Sequence, residues 1–140
     1  MKFPVPNPTC LSVLKILLML CSGMALPDAN AAQKLPGSVR QGEALYQKLC
    51  VACHSLDYNG VGPAHRGVFG RRAGSVKDYN YSSALANSMM VWDESKLNSW
   101  LSNPEKLVPG QKMGISVASA QDRADLIAYL KMISQGQTTP

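Results

Sequence analysis

Cys50-Val51-Ala52-Cys53-His54 puts two thiols three residues apart and an imidazole directly after them. Residues i and i+3 share a face of a helix. Both sulfurs can therefore reach one edge of a flat ring and add across its two vinyl groups as thioethers. The next residue can turn its imidazole under the centre of that ring. This is the c-type haem attachment pattern, with His54 as the proximal iron ligand. Two other chemistries use the same cysteine spacing. A thiol–disulfide redox site wants a strand–helix setting in a parallel sheet, and the sequence has no such strand pattern. A zinc site needs a further pair of ligands. Outside the motif only His65 is at hand, because the remaining cysteines, Cys10 and Cys21, fall in a segment read below as removed.

A haem iron has a sixth position to fill or leave open. Met113 follows Pro109-Gly110-Gln111-Lys112. Proline and glycine make a turn, and a thioether presented from a loop can bind iron. Methionine is equally a filler of irregular core gaps, and this chain has seven of them. Spacing alone leaves both roles open.

The first 31 residues read as an export signal. Lys2 and Lys15 supply positive charge, Ile16 to Met24 is a short apolar stretch, and Ala29-Asn30-Ala31 is a small-x-small cleavage site. The apolar run is shorter than the roughly 20 residues a bilayer span needs. An uncleaved amphipathic anchor is the alternative. Cleavage after Ala31 gives a domain of residues 32–140 and an exported, periplasmic location, without stable membrane insertion. The whole chain carries a net +5, and the domain without Lys2, Lys15 and Asp28 a net +4. A mildly basic surface can steer docking to an acidic partner. The basic residues form no run with interleaved aromatics, which argues against nucleic acid.

These groups must be positioned by few elements. Ser38-Val39-Arg40-Gln41 looks like a capping box opening a helix, and Gly42, Tyr46, Leu49 and Cys53 follow at helical spacing. The haem motif ends it. Leu56 to Ser83 holds Gly60, Gly62, Pro63, Gly67, Gly70 and Gly74, the pattern of a long loop. A loop of that length in a compact domain needs something to wrap. Asp93 caps a helix with Leu97, Trp100 and Leu101 inward, and Asn103-Pro104 stops it. A loop from Lys106 to Ala118 carries Met113. Ser119 starts a last helix with Leu126, Ile127, Leu130 and Ile133 as its stripe, ended by Gly136. The expected fold is all-α, with three main helices and long loops around one covalently attached haem. Only 6% of residues are aromatic, so a large apolar cofactor would help to build the core.

From Gly42 to Lys131 the chain resembles class I cytochrome c, the soluble mitochondrial and bacterial type. The resemblance is carried by Cys50 to His54, Gly62-Pro63, Gly67-Val68-Phe69-Gly70-Arg71, Tyr79-Asn80-Tyr81-Ser82, Trp92-Asp93-Glu94, Pro109 to Met113, and Asp122 to Lys131. It implies that Met113 is the distal ligand. The Pro63 carbonyl would accept a hydrogen bond from His54 Nδ1, fixing the tautomer and leaving Nε2 for iron. Arg71, Tyr81 and Trp92 would hydrogen-bond or neutralise a haem propionate. Gly42 and Tyr46 would pack the first helix on Leu126 and Tyr129 of the last. Trp100 stands where the family has a tyrosine near the ligating methionine, and its indole nitrogen would still donate one bond. His65 stands where the family has leucine; it is expected to turn toward solvent or a propionate, with a redox-modulating or alternative-ligand role as the sharper reading. Gly114-Ile115-Ser116-Val117 lacks the usual aromatic and would form part of the exposed edge.

The resemblance implies a one-electron carrier and no enzyme: a monomer that docks transiently with a redox-protein donor and acceptor, as in a respiratory chain. Two alternatives remain. One is a haem subunit of a periplasmic oxidoreductase. The other is a small haem peroxidase or gas-binding protein, which would require a labile Met113.

Overall fold

The computed structural model describes Met1 and residues 35–136. The export segment, its cleavage site, Cys10 and Cys21 lie outside the described residues. Among the described residues the chain is all-α. The helices are α1 (Val39–Leu49), α2 (Ser83–Ala86), α3 (Glu94–Ser102), α4 (Pro104–Leu107) and α5 (Ala120–Gln135). Strand-like pairing is limited to an isolated antiparallel bridge between Arg72 and Val91. No described helix is long and apolar enough to cross a membrane.

The three expected helices are α1, α3 and α5; α2 and α4 are single turns that the loop pattern did not signal. Asn103-Pro104 does stop α3. The same pair then starts α4, because Asn103 caps the new turn by accepting from the Lys106 amide and Pro104 occupies its first turn, where a missing N–H costs nothing. At the start of α1, Ser38 Oγ accepts from the Gln41 amide as a cap should. The return half of the expected capping box does not form. The Ser38 amide donates instead to Asp125 Oδ1 of α5 at 2.7 Å, so a charged acceptor on another helix replaces the local glutamine. Gln121 Nε2 donates to the same carboxylate oxygen at 2.9 Å and to the Pro36 carbonyl at 3.0 Å. Asp125 is buried, and these donors satisfy it.

The crossing of α1 on α5 is the main helix–helix contact of the described fold. Gly42 sits at its closest point. A Cβ there would overlap the Asp125 carbonyl and lie 2.9 Å from the Tyr129 Cβ. Tyr46, one turn further on, is 1% exposed and packs its ring on Tyr129 at 5.2 Å between centroids. Leu126, also 1% exposed, belongs to the same core. Helix α3 packs Leu97, Trp100 and Leu101 inward, and Trp100 meets Trp92 edge-on at 5.2 Å.

The long loop is tied down by side chains that bond to backbone. Tyr79 Oη donates to the Val61 carbonyl at 2.6 Å. Asn59 donates to Lys77 O and accepts from the Ala64 amide. The Phe69 amide donates to Ser134 Oγ of α5.

Filling the crossing should damage stability without touching the site. Gly42→Val is expected to lower the unfolding free energy of the haem-bearing protein by about 1–3 kcal/mol, the usual cost of overpacking, read from thermal or denaturant melts.

Candidate haem site

Helix α1 ends at Leu49, and the chain turns back on itself through the motif. The Cys53 and His54 amides both donate to the Cys50 carbonyl, at 3.1 and 2.9 Å. This turn brings Cys50, Cys53 and His54 to the wall of one cavity of ≈ 360 Å³. The two cysteines are not joined in a disulfide. Burial, helped by the neighbouring Cys53, pushes the Cys50 thiol up to about 11. A redox or metal-binding thiol needs the opposite shift. No group of three or more His, Cys, Asp or Glu among the described residues is placed to hold a metal ion. Thiol exchange and zinc therefore lose their geometric support.

His54 Nδ1 lies 2.8 Å from the Pro63 carbonyl. The carbonyl can only accept, so the proton sits on Nδ1 and Nε2 keeps its lone pair. Burial lowers the His54 pKa, partly opposed by that hydrogen bond. Burial favours the neutral imidazole, and the hydrogen bond fixes its tautomer with Nε2 free to act as a ligand. Gly62 gives the ring its room: a Cβ there would overlap Cε1 and fall 2.5 Å from Nδ1 and 2.7 Å from Nε2.

Met113 lines the same cavity. Gly110, at φ +82, takes the left-handed turn after Pro109 that suits glycine. Its amide is held by Glu105 Oε1 at 2.9 Å, and the Met113 amide donates to Gln111 Oε1. The Trp100 indole N–H points at Met113 Sδ, 3.1 Å away. Lys112 Nζ reaches back to the Asn80 and Tyr81 carbonyls at 3.2 and 3.5 Å, joining the methionine loop to the tyrosine loop.

Arg71, Tyr81 and Trp92 also line the cavity, together with Tyr79. The guanidinium donates to the Ala64 carbonyl at 2.8 Å and the Arg66 carbonyl at 2.9 Å. Both partners are neutral, so they orient the charge without neutralising it. Burial depresses the Arg71 pKa, which an adjacent anion would relieve. Trp92 is 7% exposed, with its ring in the core. The structure thus brings every expected site residue, Cys50, Cys53, His54, Pro63, Arg71, Tyr81, Trp92, Trp100 and Met113, to one cavity.

His65 lines the same cavity, near the Arg71 expected to meet a propionate. Its ring stacks on His54, with centroids 3.9 Å apart and planes at 18°. Its Nδ1 shares a hydrogen bond of 3.2 Å with Tyr46 Oη. Burial, then the nearby His54 and Arg71, bring its pKa down to about 3. The partner that holds it, Tyr46, lies 19 residues back on α1, and no local pattern pairs the two. Sequence reading also passed over Tyr79 and Lys112 as site residues, since their partners are backbone carbonyls that any residue supplies.

The donor set fits a flat, largely apolar group with an anionic edge. Apolar side chains including Leu49, Val68, Leu85, Leu97, Leu101 and Leu130 face it.

Comparison with known proteins agrees with this geometry. A family model described as cytochrome c matches residues 39–134. Cytochrome c of Sesamum indicum is 40% identical over 107 residues, covering 74% of this chain and 96% of the relative. Cytochrome c2 of Rhodomicrobium vannielii is 41% identical over 105 residues, covering 72% and 83%. Among solved structures, cytochrome cH from Methylobacterium extorquens matches with a TM-score of 0.66 and 41% identity, over 69% of this chain and 99% of that one.

If the cavity must be filled for the fold to stand, the Cys50→Ala/Cys53→Ala chain freed of haem should lose its helical circular dichroism and its cooperative melt. A haem-free chain that melts cooperatively with native helix content would contradict this.

Proposed function

Because the chain belongs to the cytochrome c family, with that family's all-α fold and covalently bound haem c, we propose that it is a periplasmic one-electron carrier with the haem iron held between His54 and Met113. The observation that carries the ligand assignment is the convergence of four groups on one apolar cavity: both motif thiols, an imidazole with its Nδ1 engaged, and a methionine thioether. The haem supplies the Fe(III)/Fe(II) couple.

The protein residues do the rest. Cys50 and Cys53 anchor the group through thioethers, so a small domain does not lose it. Pro63 fixes the His54 tautomer. Histidine–methionine ligation raises the potential, and the Trp100 N–H, by drawing on a sulfur lone pair, tunes how strongly Met113 donates. Arg71 and Tyr81 receive the propionates. With His54 and Met113 as its protein ligands, the iron would keep no open site for a substrate, which suits a carrier and not an enzyme. The protein accepts one electron from a reduced donor protein and passes it to an oxidised acceptor, with no atom transferred.

Exchange takes place where the cavity opens. Val61, 78% exposed, and Ile115, 47% exposed, stand at its wall with Cys53 and Gly114. A small apolar rim of this kind supports brief docking by a monomer, at the low end of interface sizes. The basic net charge steers an acidic partner toward it.

In the purified protein, the oxidised spectrum is expected to show the long-wavelength iron–sulfur charge-transfer band. Met113→Ala should abolish that band, give a high-spin ferric spectrum and lower the potential. A parent protein that lacks the band and is already high-spin would sink the ligand assignment and favour a peroxidase or gas-binding role. Intact mass of the protein recovered from the periplasm should equal residues 32–140 plus one haem; retention of residues 1–31 would instead mean an anchored form.

A further inference from the structure

His54 and His65 form a pair of nearly parallel imidazoles, and the outer one is anchored. His65 stacks on His54 at 3.9 Å and is hydrogen-bonded to Tyr46 Oη. Tyr46 is fixed in turn: it is 1% exposed, packs on Tyr129, and sits one turn from the Gly42 contact at the α1–α5 crossing. The chain of contacts runs from the most constrained point of the fold to the imidazole at the cavity wall. A leucine at position 65 would touch His54 by dispersion alone. It would have no flat face to oppose rotation of the ring about its Cβ–Cγ bond, and no polar atom to meet the Tyr46 hydroxyl.

Resting on His54 as the iron ligand, we propose that His65, anchored by Tyr46, is a positioning residue that sets the orientation of the proximal imidazole plane. The Pro63 carbonyl fixes one point on the ring edge, Nδ1. One hydrogen bond still permits rocking about the N–O line. A stacked ring held from its far side removes that freedom. Gly62 leaves the space in which the ring can lie flat against its neighbour. The orientation of an axial imidazole plane about the iron–nitrogen bond decides how unpaired spin is distributed over the four pyrroles. The paramagnetic shifts of the haem methyl protons in the ferric protein read that distribution directly.

The test compares ferric proton spectra and reduction potentials of the haem-bearing parent, His65→Leu, Tyr46→Phe and the double variant. His65→Leu leaves a buried hydroxyl without its partner, so it carries a stability cost of its own. The double variant removes that hydroxyl as well and should recover most of the melting temperature. A residue that merely packs would then give back the parental spectrum. The proposal expects the contrary: the order or spread of the four methyl shifts stays altered in the double variant, and the potential stays displaced. Tyr46→Phe, the loss of a single oxygen, keeps the stack without its anchor and should move the pattern in the same direction by a smaller amount. Methyl shifts superimposable on the parent's in the double variant or in Tyr46→Phe overturn the proposal. A parent without the low-spin imidazole–thioether spectrum counts against the ligand assignment instead, before any variant is made.

Discussion

The described chain wraps one mostly apolar cavity whose size and lining suit a flat cofactor. That constraint orders the rest of the structure. Three helices of real length cannot close around 360 Å³ of apolar space, so most of the wall is loop. Loops have no ladder of their own to satisfy backbone groups. They are held here by side chains thrown across to carbonyls: Tyr79 to Val61, Asn59 to Lys77, Arg71 to Ala64 and Arg66, Lys112 to Asn80 and Tyr81. Each of these bonds fixes one stretch of wall relative to another. Covalent attachment of the haem makes the filling permanent, and the wall can then be irregular without being loose.

The α1–α5 crossing backs the cavity: Leu49 of α1 and Leu126 and Leu130 of α5 reach its wall. Helical spacing put Gly42 and Tyr46 on one face of α1, and the resemblance to class I cytochrome c named them as its contact points with the last helix. The motif and the turn before Met113 were readable without that resemblance. Thiol spacing and a proline–glycine pair restrict geometry locally, whatever the remainder does. The one-turn helices α2 and α4 escaped notice because four residues hold too little periodicity to register. The capping box misled because its sequence pattern is local, while the Ser38 amide found a better, charged acceptor 87 residues away on Asp125. The Tyr46 and His54 contacts of His65 escaped notice for the same kind of reason. Nothing near it in sequence announces Tyr46, and a histidine is usually placed toward water until a buried partner is known.

Of the departures from class I cytochrome c read in the sequence, His65 lies against His54 and Trp100 against Met113, away from the helix crossing. Physical tolerance differs between the two places. At Gly42 any Cβ strikes backbone, and backbone cannot yield without moving a helix. Beside Met113 the requirement is a donor aimed at sulfur; an indole N–H at 3.1 Å meets it as a phenol would, though it can donate only and never accept. Beside His54 the requirement is a side chain that covers the ring, which an imidazole does once Tyr46 takes up its polar edge. A substitution at such a place leaves the architecture standing and changes the field or the freedom of the ligand next to it.

On the proposed ligation the two neighbours would act on different properties of the same centre. Trp100 would bear on the sulfur lone pair, and so on how much electron density Met113 offers. His65 would bear on the rotation of an imidazole whose tautomer Pro63 fixes. A carrier built this way can be retuned from its outer contacts while its helix crossing, attachment turn and cavity wall stay the same. The fold supplies a rigid and closed setting, and the residues one contact away from the axial pair decide what that setting does to the electron.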